Sequence, residues 1–331
     1  MIVAYLPTHI APDARAKFLP HAIAVGEAIS ATAVWIDVLN PTPAEEAQVE
    51  QLLAIDIPTR EETKNLEPSE VLYVENGARY MSAQILCQSE SDTPKLAAVS
   101  FILKDHHLVT VRYDQPRSFQ MFANRVARPG ACLPDGENML ISLFETVVDR
   151  AAELLRASGE RIDVASLEVF AGDDQGGANT QLFRRILRTM GLEGIRISKV
   201  RESLVSIERM LLFLTANTGG TTLPESLREE VRTTLRDFQS LEDHATFLSA
   251  KIQFLIDATL GLVSLEQNKI IKIFSVAAVI FLPPTLIASI YGMNFKAMPE
   301  LEWSFGYPMA IGLMLLSVTA TYSFFKMKRW L

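Results

Sequence analysis

The residues with the best-defined chemistry lie near the end of the chain, in the turn Tyr291-Gly292-Met293-Asn294-Phe295 and the loop Lys296-Ala297-Met298-Pro299-Glu300-Leu301-Glu302. Asn294 offers a neutral amide, whose oxygen accepts hydrogen bonds and whose NH2 donates them. Gly292 has no Cβ and leaves the backbone beside that amide open to approach. Glu300 and Glu302 add two carboxylates that raise the local cation concentration; as ordinary loop charges they would only be solvated. Such a set can hold a cation through its water shell, because an amide oxygen accepts from coordinated water. Bond-making chemistry has no such support: the chain has no phosphate loop, no nucleophile elbow and no His-rich metal motif, so an enzyme is not expected. His106 and His107 fall at a turn between strands and are expected to be solvated. Cys87 and Cys132 stand 45 residues apart without paired spacing, which fits neither a zinc site nor a disulfide framework.

Two apolar runs flank this turn and must position it. Residues 273–290 contain 18 positions without a charge and residues 303–325 contain 23. At about 1.5 Å per residue each run approaches the roughly 30 Å of a hydrocarbon core, so spans over residues 273–291 and 303–325 are expected. One stripe of the first run, Asn268, Ile271, Ser275, Ala278, Leu282, Thr285 and Ser289, is small, hydroxylic or amidic at helical spacing. It fits close helix packing and a pore lining equally well. Neither span holds an acidic residue, which argues against a dehydrated ion held by carboxylates inside the membrane.

Upstream, residues 222–225, Thr-Leu-Pro-Glu, form a capping box, and no proline or glycine follows until Gly261. The spacing predicts one helix running into the first span, with a seam through Leu227, Val231, Phe238, Leu241, Ala245, Leu248, Ile252, Leu255 and Leu262, interrupted at Thr234 and Thr259. Residues 136–221 are also expected to be helical, in two stretches, the first with an apolar face at Leu140, Leu143, Phe144, Val147, Val148, Ala151 and Leu154. The loop 172–177 between them carries Asp173 and Asp174; without a third ligand at calcium-loop spacing, a solvated turn is expected. Residues 1–135 read as an α+β (α/β) domain. Strands are expected at 34–38, 71–75, 79–86, 96–103 and 108–113, and a helix opening through Thr42 and Pro43 with Glu45 and Glu46 in its first turn. The expected division is therefore 1–135, 136–221, a stalk helix 222–272 and a transmembrane domain 273–331.

Charge gives orientation and excludes partners. Of 31 basic and 39 acidic residues, six and three lie after residue 265, leaving 25 against 36 and a balance of −11 on residues 1–265. A surface of that sign repels nucleic acid and anionic lipid and gathers divalent cations. Lys269 and Lys272 precede the first span and Lys326, Lys328 and Arg329 follow the second, while the connecting loop has only Lys296. By the positive-inside rule both termini are expected in the cytoplasm, and the N-terminus has no pattern of a secretory signal.

The Gly292-Met293-Asn294 triplet, the Met298-Pro299-Glu300-Leu301 loop, the Pro283-Pro284 step and the basic tail Lys326-Met327-Lys328-Arg329 resemble the CorA family of magnesium transporters. More loosely, Trp35-Ile36-Asp37 with Asn40-Pro41, and Ile57-Pro58-Thr59-Arg60-Glu61-Glu62, resemble that family's N-terminal domain. The resemblance implies a funnel-shaped homopentamer in a bacterial inner membrane that passes hydrated Mg²⁺, with Co²⁺ and Ni²⁺ as further cargo. It implies a selectivity filter at Gly292, Met293 and Asn294 and a pore lined by Thr285, Leu282, Ala278, Phe274, Ile271 and Asn268, with an apolar gate at Leu282 and Phe274. It also implies regulatory Mg²⁺ between cytoplasmic domains. Where the family carries a stalk aspartate this chain has Ser240, so Asp237, Glu242 and Asp243 nearby are the candidate regulatory ligands. Two alternatives stand beside this: a zinc- or cobalt-selective relative, disfavoured by a stripe without His or Cys, and a membrane-anchored sensor that carries no ion.

Overall fold

The computed structural model describes residues 1–8, 17–64, 71–91, 93–128, 133–171, 180–216, 223–294 and 298–328. The expected aspartate loop at 172–177, Cys132, Thr222 of the capping box, Phe295 and Lys296, and residues 329–331 of the basic tail lie outside them. The chain divides into two compact units. One contains the β-sheet, nearly all of the helices that follow it and the long helix as far as Leu255; the other contains that helix from Ile256, the final helix and residues 180–183.

The sheet has seven strands, β1 (Ile2–Thr8), β2 (Lys17–Ile23), β3 (Trp35–Leu39), β4 (Leu72–Glu75), β5 (Ala78–Cys87), β6 (Lys95–Lys104) and β7 (His107–Arg112), in the order β2-β1-β3-β7-β6-β5-β4. Only β3 and β7 pair in parallel; the other neighbours are antiparallel. Asn76 and Gly77 turn β4 into β5 with φ of 50° and 75°, the two left-handed residues that a two-residue hairpin of this twist requires. Every residue of β3 is buried, the pattern of a central strand covered on both faces. On one face Ile36 and Val38 join Val109, Val111 and Ile102 in a core with Val49 and Leu53 of α1 (Pro43–Leu53). On the other, Trp35 stacks on Tyr5 at 4.1 Å and meets Phe122 of α3 (Arg117–Val126) at 5.2 Å, and Phe101 meets Phe144 of α4 (Gly136–Ala171) at 5.3 Å.

Asp37 shares the aromatic face and is 4% exposed. It is fully paired: Arg112 donates through Nε and Nη2 at 2.9 and 2.7 Å, and Thr110 donates at 2.8 Å while accepting from Trp35 Nε1 at 2.9 Å. A two-point guanidinium contact of this kind makes a buried carboxylate tolerable. α1 starts where the sequence predicts a helix to open, at a capping box that was not anticipated: Thr42 accepts from Glu45 N–H and the Glu45 carboxylate accepts from Thr42 N–H. The strands β1 and β2 were not anticipated, because Pro7 and Pro20 break their pattern. Pro20 sits on the edge strand, and Pro7 lies beyond the stretch of β1 that pairs with β3, so neither removes a ladder hydrogen bond on a central strand. His107 is less solvated than expected: it is partly buried, with Nδ1 2.5 Å from the Ala33 carbonyl.

α5 (Thr180–Thr215) and α6 (Glu225–Tyr291) complete the soluble part and lead into the membrane-length segment. The first-helix face expected on α4 is buried apart from Val148, which is partly so. In α6 the seam is buried from Leu227 to Leu255 apart from Leu241, which like Leu262 is half-buried. Thr234 and Thr259, expected to interrupt it, are buried within it at 4% and 0% exposure. Thr234 Oγ donates to the Glu230 carbonyl at 3.0 Å, so its hydroxyl costs little there. α6 is a single helix of 67 residues, about 100 Å long at 1.5 Å per residue. It passes through Pro283 and Pro284, which have no N–H to offer the carbonyls of Val279 and Ile280. The final helix, α7, is Gly306–Met327, three residues later than the start of the apolar run, because residues 303–305 belong to the turn before it.

Candidate functional site

α6 brings the stripe to one face. At about 100° per residue, Asn268, Ile271, Phe274, Ala278, Leu282 and Thr285 fall within an arc of about 120°, and all six side chains are exposed. Between residues 276 and 287 the positions that are buried or partly buried, Val276, Ala277, Ile280, Pro283, Pro284 and Ile287, centre on the opposite side, about 180° away. Phe274 and Leu282 are 71% and 66% exposed, which is costly for large apolar groups in water and requires lipid or another chain around them. The Thr285 hydroxyl donates to the Phe281 carbonyl at 2.7 Å, so its proton is engaged and the oxygen is left as an acceptor on the stripe.

The helix ends at Tyr291, and two hydrogen bonds hold the turn: Gly292 N–H donates to the Ala288 carbonyl at 2.9 Å and Met293 N–H to that of Ile290 at 3.2 Å. A Cβ on Gly292 would stand 3.0 Å from the Ala288 oxygen, tighter than ordinary contact. Close approach to that carbonyl therefore explains the glycine. Gly292, Met293 and Asn294 are all exposed, with the Asn294 amide presented just past the end of the helix that carries the stripe. The returning chain forms a 3-10 turn over Pro299–Leu301, then α7. Glu302 is exposed and Glu300 is half-buried. Gly306 was not anticipated as part of this site: a Cβ there would come within 2.3 Å of the Glu300 carbonyl oxygen. Its place beside Pro308, at the start of an apolar run, was the available signal.

The candidate regulatory carboxylates are spread around α6. Asp237 and Asp243 are exposed and Glu242 is half-buried. Burial, followed by the nearby charge of Glu208 on α5, pushes the Glu242 carboxyl above its usual range. Among the described residues no group of three or more His, Cys, Asp or Glu converges on a point that could hold a metal ion.

Two adjacent helices, α6 at its C-terminal end and α7, are long and apolar enough to cross a membrane, and their apolar windows are almost wholly unburied. With a mostly antiparallel sheet domain ahead of them and an amide turn between them, they define a two-span membrane protein whose polar stripe leads to that turn. A family model described as CorA-like Mg²⁺ transporter protein matches residues 30–329, and the chain belongs to that family. It is 36% identical over 300 residues to the magnesium transport protein CorA of Pasteurella multocida, covering 91% of this chain and 92% of that one. Its counterpart in Haemophilus influenzae is 35% identical over 300 residues, covering 91% and 93%. The complete structure of the CorA magnesium transporter from Methanocaldococcus jannaschii superposes with a TM-score of 0.77 over 100% of this chain and 99% of that one; at 17% identity this likeness bears on the fold. The family consists of ion transporters, not enzymes.

Proposed function

We propose that this chain carries Mg²⁺ across a lipid bilayer as a hydrated ion. The observation that carries this is the exposed stripe from Asn268 to Thr285, opposite the buried side of α6 and ending at Gly292-Met293-Asn294. Mg²⁺ is small and releases its water reluctantly, so an entrance that stripped it would be slow to pass it. A ring of Asn294 amides accepts hydrogen bonds from the retained water instead, and a neutral group holds the ion loosely enough to let it go. Five chains around one axis would form that ring and cover Phe274 and Leu282, which then act as an apolar gate. Co²⁺ and Ni²⁺, hydrated ions of the same charge, would share the path. Magnesium transport by the similar proteins of Pasteurella and Haemophilus supports the choice of cargo.

On this proposal residues 1–135 and 136–221 lie in the cytoplasm, 222–272 form the stalk and 273–331 the membrane domain of a bacterial inner-membrane protein. Lys269, Lys272, Lys326 and Lys328 support this orientation, since basic residues beside the spans favour the cytoplasmic side. Regulatory Mg²⁺ would bind between neighbouring chains, with Asp237, Glu242 and Asp243 as candidate ligands, and would hold the pore closed until cytosolic Mg²⁺ falls. The test is purified full-length protein in liposomes loaded with a magnesium-sensitive dye. Flux is expected when the lumen is depleted of Mg²⁺, and Asn294→Ala is expected to remove it without changing oligomer size. A wild-type protein that gives no flux under depletion overturns the proposal in favour of a membrane-anchored sensor.

A further inference from the structure

Ser118 at the start of α3, Arg150 in α4 and Ser203 in α5 are 4%, 8% and 4% exposed. All three line one small cavity of about 20 Å³ against Ile85 and Leu86 of β5. Three of their atoms, Ser118 Oγ, Arg150 Nε and Ser203 Oγ, have no hydrogen-bond partner among the described residues. The remainder of the Arg150 guanidinium is committed: Nη1 donates to Glu153 at 2.5 Å, and Nη2 to Ser89 Oγ at 3.1 Å and Glu90 at 3.0 Å. A buried polar group left unpaired costs about 1–3 kcal/mol, so three of them on residues that line one cavity call for a shared partner.

Size and charge identify that partner. A cavity of roughly 10–15 Å³ or more admits one water molecule. Arg117 also lines the space, but its guanidinium pairs with Glu90, so Arg117 and Arg150 are balanced by Glu90 and Glu153. An anion entering there would lose its hydration without meeting a net positive charge, whereas water gives up far less. We propose that a single ordered water occupies this cavity, accepting from Arg150 Nε–H and one serine hydroxyl and donating to the other serine oxygen. That gives it three hydrogen bonds, the usual number for a buried water.

This water joins α3, α4 and α5 behind a stretch of β5 that has lost its outer neighbour. β4 pairs with β5 only from Ala78 to Met81, and farther along Gln84 N–H donates to Ser206 Oγ of α5 at 2.8 Å. Ser203 and Ser206 are one turn apart on α5. Ser206 docks the helix on the strand directly, and Ser203 ties it to α3 and α4 through the water.

A map of the full-length protein at a resolution that shows ordered water tests this. A peak within hydrogen-bond distance of Arg150 Nε and both serine oxygens is expected, and its absence overturns the proposal. Crystals grown with bromide separate the two ligand chemistries, since an anomalous peak in the cavity would mean an anion and also overturn it. In solution, Ser118→Ala and Ser203→Ala should each lower the thermal midpoint, and the double variant should lose less than the sum, because both act through one molecule. Strictly additive losses would mean the hydroxyls act independently and would reject a shared water. Ser203→Val, which fills the cavity with methyl groups, should remove the peak while leaving the fold intact.

Discussion

The two halves of α6 use opposite rules within one uninterrupted helix. Apart from Thr234, the buried positions from Glu225 to Leu255 are apolar, Val231, Phe238, Ala245 and Leu248 among them, and charged residues such as Glu229 and Arg232 face outward. From Ile273 onward the outward positions are Ile273, Phe274, Val279, Phe281, Leu282 and Leu286, 47–71% exposed. The backbone is the same; the solvent each half is built for is different. The same contrast governs polar groups. In the soluble unit a buried charge is locked to a partner, as Asp37 is to Arg112, whereas the polar groups of the membrane half are neutral and line one exposed stripe. Groups that are paired build the fold, and groups that are left available are suited to a mobile ion.

The sharpest way to break this contrast is to remove the available group. Asn294→Ala is expected to reduce Mg²⁺ entry in liposomes to the level of protein-free vesicles while the thermal midpoint of the soluble part stays unchanged. Retained flux would mean that the exposed amide does not touch the ion's water. The converse is Asp37→Ala, which strands the Arg112 guanidinium in the core and is expected to cost about 3–5 kcal/mol, read as a large drop in the unfolding midpoint. If that variant melted like the wild type, the buried pair would not be structural.

How much of this was legible beforehand follows the same division. The α6 seam, the helix opening at Thr42-Pro43 and the strands β5, β6 and β7 were visible because local periodicity and helix-start chemistry decide them. β1 and β2 were not, since two prolines break their pattern and only the sheet order shows that they stand where no ladder bond is lost. Asp37 lies within the expected strand 34–38; its meaning depends on Arg112, 75 residues away, which no local pattern reports. The stripe on α6 was readable as a face, yet spacing alone left pore and packing equal. The exposure of Phe274 and Leu282 shows that the single chain leaves this face uncovered.

Gly306 sharpens the contrast from the loop side. Its missing Cβ lets the start of α7 lie against the Glu300 carbonyl, and a methyl group at 2.3 Å from a backbone oxygen forces one of them to move. Gly306→Ala is expected to cost about 1–3 kcal/mol, as other overpacked sites do. It should lower flux in proportion to the displaced loop rather than abolish it. Flux measured beside melting separates the two: full activity with a normal midpoint would show that the loop takes up the methyl group freely.

Acid should then affect the two regions unequally, because the membrane half offers no buried carboxylate to protonate. Glu193 on α5 is 3% exposed, and burial alone would raise its pKa. Hydrogen bonds from Arg161 at 2.6 and 2.9 Å, from Ser158 and from Arg196 at 2.5 Å outweigh that and hold the carboxyl below its usual range. A pKa lowered in the folded state adds stability that is fully present above the ordinary carboxylate value and is lost as pH falls through the lowered one. Glu193→Gln keeps the shape and one acceptor while removing the charge, so it is expected to cost about 1–2 kcal/mol at neutral pH. That deficit should shrink as the pH falls through the window, until variant and wild type melt together. A deficit that stayed constant down to the lowest accessible pH would assign the effect to packing instead of to the ion pair.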